Sequence, residues 1–326
     1  MTADPRPAAP ERPAVVLDGF DPRNLHYRWD AERPPVLEVE PGAIVEVRIP
    51  DSSTFQLNER STREDLARID LDRVDAAVGP IAIRGAEPGD TLAVTIRSLT
   101  PGAWGWSGIF RDFGLLRGRF ADDLVRWEIA DDRARPSYGF LRPVEIPLRP
   151  MLGWIGVAPP QGVLDMVPPQ PFGGNLDNRL HGVGATVLLP VQRTGALLSV
   201  GDPHAAQGDG EVCGTGIETS AVARLSLDVR RGVRIEHPRL EGPDASRAGP
   251  RVAASGVGPD LTAAARAAVE NLLGLLEGRG FRPEEGYLLT SLVGELRISE
   301  IVDEPNFVVT AVFPAELLRF GAGPSL

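Results

Sequence analysis

Residues 173–218 are the most informative part of this chain and have the sequence GGNLDNRLHGVGATVLLPVQRTGALLSVGDPHAAQGDGEVCGTGIE. Its acids and histidines stand beside glycines instead of inside a periodic apolar pattern. They are Asp177, His181, Asp202, His204, Asp209, Glu211 and Glu218. Glycine next to a carboxylate lets the backbone adopt positive φ and approach a ligand closely. Carboxylates and imidazoles together form either a divalent metal site or a general acid/base site, so we expect this segment to face a pocket.

Short β-branched runs predict strands along most of the chain, because 36 Gly and 31 Pro residues divide it into short pieces. The predicted strands are residues 35–39, 44–49, 81–84, 91–99, 146–148, 155–157, 186–191, 221–229, 234–236 and 307–313. The first two flank Pro41-Gly42 and are interpreted as a β-hairpin or corner. Residues 241–259 are rich in glycine, proline and alanine, so a surface loop is expected there.

Helical patterns are confined to three places. Ser61 and Glu64 have the spacing of a capping box and predict a short helix. Asp260 is a suitable N-cap for a long helix over residues 260–279, with Gly280 just past its end. A further helix is predicted over residues 283–293, because its proline and two glutamates suit a first turn.

These elements predict a mainly β fold that is rich in β-sandwich structure, with a late α-helical insertion, and thus α+β overall. We divide the chain into a Pro-rich flexible leader (1–23), an N-terminal β-rich domain (24–170) and a C-terminal β-sandwich domain (171–326). The last contains the two later helices and the candidate active-site loops. A single intertwined unit is the alternative to this division.

The charge of the chain restricts its partners and its chemistry. The net charge is −11 and no basic cluster interrupts the acidity, which argues against nucleic acid and anionic membranes as partners. All 34 basic residues are arginine, which excludes a Schiff base or Ser-Lys mechanism using a lysine of this chain.

Cys213 is the only cysteine, so the chain forms no internal disulfide. With no signal-peptide pattern or apolar run of about 20 residues, a cytoplasmic location is expected.

Aromatic residues concentrate between residues 101 and 171. They are Trp104, Trp106, Phe110, Phe113, Phe120, Trp127 and Trp154. They either fill the core of a fold that has few long helices or line a small apolar-walled pocket. His26, which lies outside the central segment, is interpreted as a packing or surface residue.

The sequence resembles the acetamidase/formamidase family over nearly its whole length from about residue 24. The resemblance is carried by GPIAIRGAEPGDTLAVTI (79–96), WGWSGIFRDFGLL (104–116), IPLRP (146–150), GVAP (156–159), HAAQGDGEVCGT (204–215) and GYLLTSLVGELRISEIVDEPN (286–306). It implies a metal-dependent hydrolase of short carboxylic amides, a β-sandwich-rich fold and a homo-oligomer. Leu176, His181 and Pro203 depart from the family pattern, which leaves the substrate more open than the fold.

The resemblance makes His204 the first candidate for a metal ligand, with Asp177 and Asp202 as the oxygen ligands. Glu211 is assigned as the general base and Glu218 as a further ligand or hydrogen-bond partner, although the two roles could be exchanged. Asn175 and Gln207 are candidates for binding the substrate amide. Zinc suits the mixed nitrogen and oxygen ligands best, and calcium or magnesium would suit a carboxylate-dominated set. Cys213 as a nucleophile is the alternative to metal chemistry.

Two functions other than the hydrolysis of formamide or acetamide remain open at this point. The same fold could act on a larger or cyclic amide. Alternatively, the chain could be a small-molecule-binding protein in which the metal is purely structural.

Overall fold

A nine-stranded and a six-stranded β-sheet pack face to face in the computed structural model, which describes residues 15–244 and 249–321. In spatial order the larger sheet contains β1 (Val15–Asp18), β5 (Ala43–Ile49), β17 (Ala221–Arg230), β7 (Thr91–Pro101), β15 (Thr186–Pro190), β18 (Arg239–Pro243), β19 (Pro250–Gly258), β21 (Phe307–Pro314) and β20 (Glu295–Glu300). The smaller contains β14 (Gly173–Asn175), β12 (Met151–Gly156), β16 (Leu198–His204), β6 (Ala77–Ile83) and β2 (Leu25–His26), with β4 (Leu37–Val39) also pairing with β6. The prediction of a mainly β fold is confirmed.

Smaller elements complete the described fold. A four-stranded sheet contains β11 (Ile146–Pro147), β10 (Arg133–Tyr138), β9 (Asp123–Ala130) and β8 (Trp104–Ile109), and a two-stranded one contains β13 (Val163–Leu164) and β3 (Trp29–Asp30). The α-helices are α1 (Arg63–Leu66), α2 (Leu261–Glu277) and α3 (Pro283–Val293), and the 3₁₀ helices are Pro22–Asn24, Leu71–Arg73 and Ala315–Phe320. No helix among the described residues is long and apolar enough to cross a membrane.

The main core lies between the two large sheets. β6, β12 and β16 are buried along their whole length. This explains why the sequences of β6 and β12 are continuous apolar runs instead of alternating patterns, whereas β16 ends in the polar residues of the site. Trp154 of β12 stacks on Trp29 with ring centroids 6.2 Å apart. Because each fully buried large apolar side chain contributes roughly 1.5–3 kcal/mol, this core fixes β12 and β16 as a rigid base for their neighbours.

The prediction of a surface loop over residues 241–259 is wrong, because the described residues of this range lie largely in strands β18 and β19. β19 pairs along its whole length with β21, and α2 packs across it. A Cβ atom on Gly256 would overlap the backbone of Ala264 and Ala268 in α2, so small residues are required for close helix–sheet packing. Residues 245–248 of the predicted loop lie outside the described residues.

Of the hairpin or corner predicted at Pro41-Gly42, the structure shows the corner, because β4 pairs with β6 in one sheet and β5 with β1 and β17 in the other. Two other local predictions need correction. Residues 234–236 form no strand. The first helix begins one residue late, with Thr62 as N-cap and the Asp65 carboxylate accepting the Thr62 backbone N–H at 2.8 Å.

The predicted start of α2 is confirmed, since the Asp260 side chain accepts the backbone N–H of Ala263 at 2.8 Å. The helix ends at Glu277, with Gly278 as its C-cap, about two residues before the predicted end. The predicted helix over residues 283–293 is confirmed as α3.

Strands from the two sides of residue 170 alternate in both large sheets. β7 lies between β17 and β15, and β6 pairs with β16. Each large sheet therefore contains strands from both sides of residue 170. Residues 1–14 of the predicted leader lie outside the described residues, whereas residues 15–18 form β1, parallel to β5.

Candidate active site

Three neighbouring strands of the six-stranded sheet carry the centre of the site. β12 lies between β14 and β16 and pairs with both. The segment that follows β14 and the end of β16 therefore lie close to each other, on either side of β12. Asp177 follows β14, while Asp202 and His204 end β16. Gly153 of β12 lies between the two aspartates, and its carbonyl accepts the backbone N–H of Asp177 at 3.3 Å.

Three of the carboxylate residues have left-handed backbone conformations. Their φ angles are +40° for Asp177, +48° for Asp202 and +41° for Glu211. Such values are uncommon outside glycine and persist only where the surroundings impose them. The fold therefore turns these carboxylates inward instead of leaving them in relaxed surface turns.

The carboxylates converge on the imidazole of His204. Its Nε2 atom lies 2.9 Å from Glu218 Oε2, 3.1 Å from Asp202 Oδ1 and 3.8 Å from Glu211 Oε1. Its Nδ1 atom lies 3.9 Å from Asp177 Oδ1. All five residues are buried, at 8% relative exposure or less. The structure thus brings together every predicted metal-binding and catalytic residue, which we call the His204 cluster.

Gln207 orients the imidazole. Its Oε1 atom lies 2.7 Å from His204 Nδ1, and its Nε2 atom donates to the Asp177 carbonyl at 2.7 Å, which fixes the direction of the amide. A neutral His204 therefore carries its proton on Nδ1 and presents the Nε2 lone pair to Asp202, Glu211 and Glu218. Such orientation by a neighbouring acceptor is typical of metal-binding histidines. The predicted role of Gln207 in substrate binding stays a prediction.

Glu218 is held more firmly than Glu211. Ser52 Oγ donates to its Oε2 atom at 2.7 Å and the Gly216 N–H donates to Oε1 at 2.7 Å. Its backbone pairs with that of Trp106 through two hydrogen bonds. Glu218 is therefore fixed at both carboxylate oxygens, and its side chain has little freedom to move.

Burial strongly perturbs the charges of the cluster. It raises the pKa of Asp177 and Glu211 well above the usual range, and neighbouring carboxylates add to the effect. Burial likewise raises the pKa of Asp202 to about 7. Burial opposes a charged His204, but Asp202 and Glu218 outweigh it and raise the pKa of the imidazole well above its ordinary value. Four carboxylates around one imidazole leave excess negative charge, which a bound cation would neutralise.

The donors present fit a divalent metal ion. Among the described residues, two overlapping sets have ligand atoms close enough to share an ion: Asp177, His204 and Glu211, and Asp202, His204 and Glu218. Asp177 Oδ1 is buried without a hydrogen-bond partner, and a buried carboxylate oxygen in that state is free to coordinate a cation. The sets contain imidazole and carboxylate but no thiolate.

The cluster lies in a cavity of about 400 Å³. Asn175, Asp177, Asp202, His204, Glu211 and Glu218 line part of it, together with Ser52, Asp75, Asp303 and Trp106. The other lining is largely apolar and includes Phe110 and Phe113. The two interpretations of the aromatic region therefore both hold, for different residues: Trp154 lies in the core, whereas Trp106, Phe110 and Phe113 line the cavity.

Asn175 is placed at the cavity, as expected for its predicted role. Its Nδ2 atom donates to Asp303 Oδ2 at 2.8 Å and to the Val167 carbonyl at 3.1 Å, while its Oδ1 atom has no partner. Asp303 was not predicted as a site residue, nor were Ser52 and Asp75. They come from segments far from the central stretch. Ser52 and Asp75 lie in none of the segments that carry the family resemblance, and Asp303 lies in one of them (286–306) without a glycine or histidine beside it.

The remaining chemically active residues lie outside the His204 cluster. His26 contacts Ser199 Oγ at 2.8 Å, and His181 Nδ1 lies 3.3 Å from the Leu152 carbonyl. Asp209 pairs with Arg297 at 2.8 Å. Cys213 is exposed, and its Sγ atom lies 3.5 Å from the Thr215 carbonyl.

Known proteins share both the sequence pattern and the fold. The chain is 26% identical to the formamidase of Methylophilus methylotrophus, with 92% of this chain and 91% of that protein covered. The acetamidase structure from Bacillus halodurans has a TM-score of 0.84 at 29% identity, covering 94% of this chain and 100% of that one. The gamma lactamase of Delftia acidovorans has a TM-score of 0.66 at 25% identity, covering 94% and 92%.

The model of the acetamidase/formamidase family matches residues 19–167 and 161–320, which is nearly the whole described chain. The match includes the strands that carry the His204 cluster and the segments that line the cavity. This chain therefore belongs to the acetamidase/formamidase family of amidases.

Proposed function

We propose that the protein is a metal-dependent amidase that hydrolyses linear carboxylic amides of the formamide and acetamide type. One amide and one water give one carboxylate and one ammonium ion. The observation that carries the proposal is the convergence of four buried carboxylates on His204 Nε2 and Nδ1 inside a cavity large enough for a small amide. Family membership supports the same reaction.

His204, Asp202 and Asp177 are the proposed ligands, and Glu218 is close enough to His204 to complete the set. Zinc suits this imidazole-containing set best, with calcium or magnesium as alternatives. A divalent ion supplies Lewis acidity, which polarises a carbonyl oxygen and lowers the pKa of water.

Glu211 is the proposed general base. Both oxygens of Glu218 already accept hydrogen bonds, whereas Glu211 lies 3.8 Å from His204 Nε2 at the cavity and is less constrained. Glu211 accepts a proton from the attacking water and passes it to the departing amine nitrogen. Asn175 binds the amide group of the substrate, because its Oδ1 atom can accept an amide N–H.

A cyclic amide is a second candidate substrate. The likeness to the gamma lactamase of Delftia acidovorans supports it, as does a cavity much larger than formamide. We further propose a cytoplasmic homo-oligomer that binds neither nucleic acid nor membranes, in keeping with the net charge of −11.

Ammonia release by the purified protein from formamide, acetamide and propionamide tests the proposal. The assay is run as purified, after chelation, and after adding back zinc, calcium or magnesium. We expect release to stop on chelation and to return with one of the ions. Release that is indifferent to chelation would contradict metal dependence, and no release from linear amides, with turnover of a lactam, would favour the cyclic substrate.

A further inference from the structure

The cavity is larger than formamide or acetamide requires. A water molecule occupies about 30 Å³ of liquid, so about 400 Å³ has room for roughly a dozen groups of that size. Acetamide would occupy only a minor part of this space. The remaining space is lined mostly by apolar side chains, with Arg111, Asp112 and Asp122 as the charged exceptions.

Six of the larger apolar side chains of this lining form a surface that we call the apolar wall. They are Leu66, Ile69, Leu71, Val74, Phe110 and Phe113. The first four come from α1 and the segment that follows it, and the two phenylalanines follow β8. The wall is therefore built from elements other than the three strands that carry the centre of the His204 cluster.

Packing holds much of the wall in place. Leu66 is 1% exposed and belongs to a small core with Trp106, against which Ile69 and Phe110 also pack. A Cβ atom on Gly108 would lie 3.1 Å from the Phe110 ring, and one on Gly214 would overlap the ring of Phe113. The two glycines thus allow the rings to pack closely, so packing fixes most of the apolar wall, whereas Leu71 is 67% exposed.

We propose that this wall binds the acyl substituent of the amide, so that the preferred substrates are primary amides of medium-length aliphatic or aromatic carboxylic acids. This inference rests on the proposed amidase function. The carboxamide lies at the His204 cluster and its apolar substituent lies along the wall. The substituent displaces water from apolar surface, so binding strengthens with each methylene group buried.

The test is kcat/KM of the metal-loaded enzyme for formamide, acetamide, butyramide, hexanamide and benzamide. At about fourfold per buried methylene, kcat/KM should rise from acetamide to hexanamide by roughly two orders of magnitude. Values that stay flat or fall with chain length overturn the inference while leaving the amidase function intact. An absence of turnover with every amide contradicts the amidase function itself.

The variant Ile69→Asn places a polar group on the wall at a half-buried position. We expect the ratio of kcat/KM for hexanamide to that for acetamide to fall at least tenfold. The matched control is Leu288→Asn, since Leu288 lies in α3, outside the cavity, and is 60% exposed. An equal loss of kcat/KM for hexanamide and acetamide in Ile69→Asn would contradict the inference. If that variant does not fold, the dependence of kcat/KM on chain length in the wild type tests the inference by itself.

Discussion

Asp177 Oδ1 and Asp202 Oδ2 both lie next to the Cα atom of Gly153. A Cβ atom on this residue would lie 2.5 Å from Asp177 Oδ1 and 2.4 Å from Asp202 Oδ2. The absence of a side chain at Gly153 is thus what allows the two carboxylates to approach each other. A single methyl group at this position tests the geometry of the site without removing any of its functional groups.

We expect Gly153→Ala to lower kcat/KM by on the order of 10²-fold, because a displacement of about 1 Å in a catalytic group has an effect of that size. Amide hydrolysis and metal content report the effect. The control is Gly208→Ala, since a Cβ atom at Gly208 would meet nothing within 4 Å. Full activity in Gly153→Ala would show that the two aspartates need not converge.

His204→Ala separates catalysis from a structural role. Removing the imidazole to which all four carboxylates are close should abolish metal binding and lower kcat/KM by on the order of 10³-fold or more. Metal content, activity and the unfolding midpoint are measured together. A protein that retains turnover but loses thermal stability would mean that the metal is structural and takes no part in the reaction.

Gln207→Leu should weaken metal binding by roughly 10- to 100-fold, because it removes the Oε1 acceptor that fixes the His204 tautomer. Gln207→Glu keeps an acceptor at that atom and is expected to recover most of the affinity. Competition with a chromogenic chelator measures both variants. Equal losses in the two variants would mean that the donation to the Asp177 carbonyl matters more than the orientation of the imidazole.

Stability should depend on pH through His26. Burial lowers the pKa of His26 from 6.5 to about 4, so the unfolded chain binds more protons than the folded protein between these values. The resulting stabilisation is present above pH 6.5 and is lost as the pH falls towards 4, by about 2 kcal/mol at pH 4.5. Urea unfolding at pH 7 and 4.5 should therefore show a smaller pH dependence for His26→Gln than for the wild type. Equal pH dependence in both would argue against a neutral buried His26.

Cys213→Ser should change kcat/KM by less than about twofold, because Cys213 is exposed and lies outside the His204 cluster. A serine retains a side chain of similar size at the same position. Loss of amide hydrolysis in this variant, with metal content unchanged, would revive the cysteine nucleophile.

The sequence was most informative where functional residues are close together along the chain. Asp202, His204, Glu211 and Glu218 share one glycine-rich segment, so their convergence could be predicted from local composition. Ser52 and Asp303 lie more than 80 residues from that segment, and neither stands among glycines and histidines as the residues of that segment do. Only the pairing of distant strands brings them to the same cavity, which no local pattern encodes.

The errors in the fold have a similar origin. The glycine and alanine residues of β19 resemble a loop in sequence, but they are small because α2 packs directly on that strand. The first helix was shifted by one residue because Ser61 and Thr62 are both suitable caps and neighbouring contacts decide between them. The sequence shows which secondary structure each residue favours locally. Contacts with distant residues then select among local conformations that have similar energies.

The alternation of early and late strands also affects how this protein is made. β7 ends at Pro101, yet its neighbours in the sheet, β15 and β17, are complete only at Pro190 and Arg230. A nascent chain emerging from the ribosome must therefore hold the apolar β7 without its final partners while more than a hundred further residues are synthesised. Such non-local pairing slows folding and exposes aggregation-prone surface.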